Sequence, residues 1–293
     1  MRRIVHLLFV AFSLTAAADS AAAQGNTRTT YSLGIYVPTA PFASSDRVRA
    51  HANALGKAIE ARAKVNISVR VFFRYADLLR ARPHLAVLES RCAATQRGAT
   101  ILASAVVRGA TSERWGLYSS RATAVPKLKG GKIVHVPTGC VDKRFMAHTL
   151  LHSELPLSFF GPRISRRTAR LAATATAKDT AVAAFLPASV AGGLKRIYDA
   201  GSVPGPALVA LRPLPGALKQ AIIAAASAFT SGTAITGYRG GGGSHYKQLA
   251  AALKRRTKRP IFAAPKNVRV NAAAWIQLPI YKRPTFSVSH LVR

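Results

Sequence analysis

The tripeptide Val-Pro-Thr occurs twice in this chain, at Val37-Pro38-Thr39 and at Val136-Pro137-Thr138. Each copy closes a short β-branched run, and a helical pattern follows within a few residues. The chain therefore reads as one strand, loop, helix unit built twice. In open α/β sheets, ligands bind in the crevice outside the carboxyl ends of the strands, and helix N-termini that open there offer unpaired amide donors suited to anions. Two such loops in two lobes imply a cleft.

The N-terminus has the parts of a secretory signal: Met1-Arg2-Arg3, an apolar stretch from Ile4 to Leu14, and Ala21-Ala22-Ala23 before Gln24. Residues 1–23 are expected to be removed and the mature chain to be periplasmic, since the apolar stretch is shorter than the roughly 20 residues a spanning helix needs. About 270 residues remain, enough for two domains of ordinary size. The formal charge of +33, with no acidic residue after Asp199, favours polyanions, an anionic membrane surface or acidic small ligands as partners. The same charge is also what a solvated basic surface carries.

Along the chain, strands are expected at Tyr31 to Val37, Ile67 to Phe73, Leu85 to Leu88, Ile101 to Val107 and Trp115 to Ser119. Ser44-Ser45-Asp46 caps a helix to about Ala63 that carries Val48, Ala52, Leu55 and Ile59 on one face. A short helix follows at Asp77 to Arg82. A second unit opens at Gly130-Gly131 with strand Ile133 to Val136 and helix Val141 to Ser153, then a basic helix at Arg163 to Ala175. Strand Thr180 to Leu186 ends at Pro187, Val203 to Pro206 reads as a turn, and strand Ala207 to Leu211 precedes helix Gly216 to Phe229. Gly240 to Gly243 reads as a loop before helix Ser244 to Arg255. From Arg259 onward no element is assigned.

The order of these pieces resembles the substrate-binding proteins of ABC transporters for phosphate, phosphite and phosphonates. The resemblance is carried by Leu128-Lys129-Gly130-Gly131-Lys132-Ile133-Val134-His135-Val136-Pro137, by Asp179-Thr180-Ala181-Val182-Ala183-Ala184-Phe185, by Ile197 and by Pro204 to Val209. Arg74-Tyr75-Ala76-Asp77-Leu78 and Leu85-Ala86-Val87-Leu88 match parts of the first lobe. It implies an α/β, two-lobed periplasmic-binding-protein type II fold with an interlobe cleft. Lobe 1 would comprise residues 30–112 plus 208–258, lobe 2 residues 113–207, and residues 259–293 a C-terminal tail.

Carried over by position, ligand contacts would come from Tyr36, Thr39, Ser44, Ser45, Glu89, Ser90 and Tyr118, and from Thr138, Gly139, Cys140 and Val141 in the second lobe. Two departures stand out. The family's second-lobe helix opens with several small hydroxyl residues, where this chain has Thr138-Gly139-Cys140-Val141. Glu89 would repel an anion that does not donate a hydrogen bond. Hydroxyl residues at these places also serve as ordinary helix caps.

Cys92 and Cys140 are the only cysteines, and the resemblance places both at the cleft, so that in an exported protein they are either disulfide-bonded or two small buried thiols. Other motifs point away from catalysis. Ser244-His245-Tyr246-Lys247 has Ser-x-x-Lys spacing without its partner motifs, and the glycines at 240–243 lack the Lys-Ser/Thr of a phosphate loop. His148 and His152 share a helix face, but two ligands are too few for a metal. Neither an enzymatic activity nor a cofactor or metal is expected. The basic run Lys254-Arg255-Arg256-Thr257-Lys258-Arg259 suits an anionic membrane surface better than nucleic acid in an exported chain. The expected function is capture of a small anionic, phosphate- or phosphonate-like ligand for an ABC permease. The alternative is an envelope protein of the same fold that binds an anionic surface or a protein partner and transports nothing.

Overall fold

The computed structural model describes residues 28–254. The expected signal segment, the residues after Lys254 in the basic run and the expected tail lie outside them. Two mixed sheets organise the described chain. The first is built from β1 (Thr30–Tyr36), β2 (Asn66–Val71), β3 (Leu85–Leu88), β4 (Thr100–Val107), β10 (Ala207–Ala210) and β11 (Ile235–Gly240), in the order β11-β4-β10-β3-β1-β2. The second holds β5 (Ser112–Ser119), β6 (Ile133–His135), β7 (Arg163–Ser165), β8 (Ala183–Pro187) and β9 (Lys195–Pro204), in the order β7-β6-β8-β5-β9.

In the first sheet β1 pairs parallel with both β2 and β3, while β10 runs antiparallel between β3 and β4. All four residues of β3 and of β10 are buried. Strands covered on both faces lose the polar alternation of a half-exposed strand, which is why Leu85-Ala86-Val87-Leu88 is a continuous apolar run.

Helix α1 (Ser45–Ala63) covers one face. The Ser44 side chain accepts from the Arg47 amide and starts the helix, and Lys64, in the left-handed conformation, ends it. Ala52, Leu55 and Ile59 are fully buried, and each Leu or Ile so placed contributes about 1.5–3 kcal/mol. Gly56 is required where α1 crosses β2, because a Cβ there would stand 2.5 Å from a Val69 methyl. Helix α6 (Gly216–Ala228) packs on the same face through Ile222, Ala225 and Ala226.

The chain passes between the sheets at 107–112 and at 204–207. These crossings lie side by side: the Gly205 amide donates to the Thr111 carbonyl at 2.8 Å, and the Ala105 amide to that of Pro206 at 2.8 Å. A side chain at Gly205 would meet the Thr111 oxygen at 3.2 Å. Helix α7 (Gly243–Lys254) secures the crossing, with the Tyr246 hydroxyl donating toward the Gly205 and Pro206 carbonyls. Leu249 and Leu253 of α7 enter the core of the second sheet beside Trp115 and Phe145.

Four expectations are corrected. Arg163 to Ala175 is not one helix: Arg163–Ser165 pairs parallel with β6, and α5 (Ala169–Ala177) begins only where Thr168 caps the Leu171 amide. The helix expected at Val141 to Ser153 is a three-residue α-turn, α4 (Asp142–Arg144), continued by a π-helical segment, Phe145–Leu150. Val203 and Pro204 end the long strand β9 rather than form a turn. Gly240 closes β11. The sequence reading assigned no strand at β9 or β11: both are sheet edges with mixed polarity and register shifts, and neither shows a clean alternation. Helix α2 (Tyr75–Ala81) starts two residues earlier than expected, and α3 (Ser90–Thr95), directly after β3, carried no helical period long enough to detect.

Candidate functional site

The carboxyl ends of β1, β3 and β6 meet. Val37-Pro38-Thr39 follows β1, Glu89 follows β3 and leads into α3, and Val136-Pro137-Thr138 follows β6. The two sheets are joined here by a disulfide between Cys92 of α3 and Cys140, whose Cα atoms are 5.1 Å apart. Both cysteines are buried, and of the two states open to them the bonded one is found. The Tyr36 hydroxyl donates to the Thr138 carbonyl at 3.0 Å, and the Ala169 amide at the start of α5 donates to the Pro38 carbonyl at 3.2 Å. Gly139, with φ 71°, lies against Tyr75 of α2.

A charged network fills the centre of this junction. Arg91, 3% exposed, pairs with Asp142 at 3.2 Å, and its guanidinium lies over the Phe145 ring at 4.1 Å from the centroid. Burial pulls the Arg91 pKa down, against the opposing influence of Glu89, Asp142 and Tyr36. Asp142 is saturated on its other side: it accepts from the Thr138 amide at 3.0 Å, the Thr138 hydroxyl at 2.8 Å and the Gly139 amide at 2.9 Å. Glu89, 2% exposed, accepts from the amide and hydroxyl of Thr39. Burial foremost, with Glu89 and Asp142 nearby, raises the Tyr36 phenol well above its ordinary value, so it remains a neutral donor.

Of the expected contact residues, Tyr36, Thr39, Glu89, Thr138, Gly139 and Cys140 are thus brought together. Ser90 is buried at the start of α3. Tyr118 packs instead with Val134, Val136 and Ala169 in the second sheet. Ser44 and Ser45 are exposed at the head of α1, where the Ser44 hydroxyl acts as a cap. Val141 is exposed and left-handed, with φ 51°. The residues that sequence reasoning missed are Arg91 and Asp142. Asp142 lies four residues after Thr138, at a spacing that reads equally as a helix-start acid. A buried Arg at the second position of a six-residue helix gives no sequence signal.

Elsewhere, His148 pairs with the Ser153 hydroxyl at 2.9 Å. Among the described residues, no group of three or more His, Cys, Asp or Glu side chains is placed to hold a metal ion. No helix among them is long and apolar enough to cross a membrane.

Neither a protein-family model nor a curated protein matches the sequence. Solved structures do match the fold. PhnD1 from Prochlorococcus marinus, in complex with methylphosphonate, aligns with a TM-score of 0.60 at 8% identity over 76% of this chain and 97% of that one. A binding protein component of an ABC phosphonate transporter from Pseudomonas aeruginosa aligns at 0.57 and 13% identity, over 77% and 94% of the two chains. A Xanthomonas citri protein bound to ATP aligns at 0.59 and 12%, over 78% and 98%. The fold is the two-lobed one of periplasmic binding proteins. At such identities the likeness extends to architecture, and the residues at the strand ends stand on their own geometry.

Proposed function

We propose that this chain is an exported solute-binding protein that captures a small anionic, phosphate- or phosphonate-like ligand for an ABC permease. Its lobes are taken as residues 30–112 plus 208–258 and residues 113–207, and its site as the crevice between Tyr36, Thr39, Glu89, Ser90 and the 138–141 loop. The observation that carries the reading is the convergence of three strand ends from two sheets, in a fold shared with phosphonate and methylphosphonate binders. Binding, not catalysis, is the activity assigned. The ligand must satisfy one constraint. One guanidinium, Arg91, is paired with Asp142 and acted on by nearby Glu89, and Asp142 already holds the Thr138 and Gly139 donors. An anion therefore enters by displacing the Asp142 carboxylate, or as a protonated oxyanion that donates to Glu89.

A thermal-shift screen of phosphate, phosphite, phosphonates, sulfonates and carboxylates tests this, because a ligand specific to the native state raises its stability. One anion should stabilise the protein, and Thr138→Val should weaken it about tenfold by removing a charge-assisted bond. A flat screen, or unchanged affinity in Thr138→Val, overturns the reading.

The disulfide favours a second reading, an envelope protein of this fold that binds an anionic surface or a protein partner without transporting a solute. A bridge between the strand-end loops limits their separation. Solutes would then shift neither the native protein nor the Cys92→Ser/Cys140→Ser variant, whereas a transport protein should gain ligand affinity or exchange rate in that variant.

A further inference from the structure

Beside the edge strand β7 lies a cavity of about 850 Å³, set between the second sheet and the α4 turn. Its walls carry His135, Lys143, Arg144 and Arg163, with Val141 and Met146 as the apolar part. Gly139 and Asp142 line it too, beside Val141, so the cavity adjoins the junction through the 139–142 loop, while His135, Lys143, Arg144 and Arg163 are side chains that the junction does not use. Lys143, Arg144 and Arg163 are exposed, and none has a carboxylate partner among the described residues. The single acid on the rim, Asp142, is committed to Arg91 and to the Thr138 and Gly139 donors. Three basic side chains therefore face one concavity without a carboxylate partner of their own.

His135 adds an independent observation. It ends β6 half-buried, and its Nδ1 is shielded from solvent with no hydrogen-bond partner. A buried polar atom left unpaired is costly, and in native structures it marks a place where a ligand or water completes the site. Burial foremost holds the imidazole below its ordinary pKa; Asp142 on α4 and a backbone hydrogen bond at Ile164 oppose this, and Arg163 on β7 and Arg91 on α3 add to it. The volume is in the range of small-molecule sites and exceeds what one tetrahedral oxyanion fills. Guanidinium groups present planar donor forks that match phosphoryl oxygens.

We propose that this basin is a second ligand site, which takes a soluble, multiply charged phosphate such as a pyrophosphate ester, with Arg144 and Arg163 on the phosphoryl oxygens and His135 completing the contact. It shares the 139–142 loop with the crevice but rests on Arg144, Arg163 and His135, none of which the crevice uses.

A chain of charge +33 attracts any phosphate, so the test must separate a site from a field. Pyrophosphate is titrated calorimetrically into the mature protein at physiological salt. Two variants are compared: Arg144→Gln/Arg163→Gln and the charge-matched Arg47→Gln/Arg62→Gln on α1. The basin pair should weaken binding by about tenfold or more, while the α1 pair stays within about twofold. Pyrophosphate should also raise the titration midpoint of His135, read from its imidazole NMR signal. Equal weakening in both arginine pairs overturns the site, as does an unmoved His135. Retention on phosphatidylglycerol vesicles without pyrophosphate binding overturns it too, since the anion recognised would then be a lipid surface.

Discussion

The two Val-Pro-Thr loops begin alike and end differently. Each threonine donates its hydroxyl to a carboxylate, Thr39 to Glu89 and Thr138 to Asp142. For Thr39 the acceptor comes from a neighbouring strand end 50 residues away, and the loop runs on through the Ser44 cap into 19 regular helical residues. For Thr138 the acceptor is four residues ahead, and the chain is drawn into a tight turn before a three-residue α-helix and a π-helical segment. A carboxylate supplied by the same loop takes the donors that an external anion would need. An identical tripeptide thus opens a conventional helix in one lobe and an internally satisfied knot in the other.

The largest test of this difference is removal of the internal anion. Asp142→Ala leaves buried Arg91 without its ion-pair partner, Glu89 being the only carboxylate still acting on it, and orphans the Thr138 and Gly139 amides. It should cost about 3–5 kcal/mol in urea unfolding, the range for breaking one side of a buried pair. In the first loop, Glu89→Gln keeps an acceptor oxygen for Thr39 and should cost about 1 kcal/mol. If the two variants lose equal stability, the asymmetry between the loops is not energetic.

Acid is the next lever. His51 on α1 is fully buried between the Thr233 and Tyr238 hydroxyls, at 3.0 and 2.9 Å, and burial lowers its pKa from 6.5 to about 4. The folded pKa lies below the unfolded one. Stability is therefore full above pH 6.5 and is lost as pH falls from 6.5 toward 4, where the unfolded chain binds a proton that the native state refuses. At about 1.4 kcal/mol per pH unit this amounts to about 3 kcal/mol. The loss of unfolding free energy between pH 7.5 and 4.5 should be smaller by about that much in His51→Gln than in the parent. His135→Gln in the second unit, where the ring is only half-buried, should remove a smaller part. A His51→Gln variant with the parent's acid loss would place the sensitivity elsewhere.

How far the sequence revealed this asymmetry depends on the kind of signal each unit carries. Helix α1 was legible because Val48, Ala52, Leu55 and Ile59 repeat on one face behind a serine cap, and β3 because four consecutive apolar residues fit a strand covered on both sides. The identical tripeptides correctly marked two strand ends at the junction, and Tyr36, Thr39, Glu89 and Thr138 do meet there. The π-helical register at Phe145–Leu150 was not legible, because the same apolar residues satisfy an α-helical period. Nor was the break at Ser165, where parallel pairing with β6 overrides a run of good helix formers. The Arg91–Asp142 pair depends on how two lobes approach, which no local pattern encodes.

The smallest expected effect is also the most local. Val141 is held at φ 51° between the disulfide cysteine and Asp142. For a β-branched residue this is a true outlier, since its Cβ crowds the following carbonyl. No residue from Val37 to Ser45 in the first loop has a positive φ. The strain costs about 1–2 kcal/mol, and the side chain, 36% exposed, recovers little of it by burial. Val141→Gly removes the clash but adds about 0.5–1 kcal/mol of unfolded-chain entropy. A net gain of about 0.5–1 kcal/mol should appear in urea unfolding of the disulfide-intact protein. The matching change in the first loop, Ala40→Gly, relieves nothing and should lose stability. If Val141→Gly is instead destabilising by more than the entropy of a glycine, the valine side chain stabilises the fold by packing. The left-handed turn would then be held by the disulfide, by Asp142 and by that packing together, rather than by the first two against the valine.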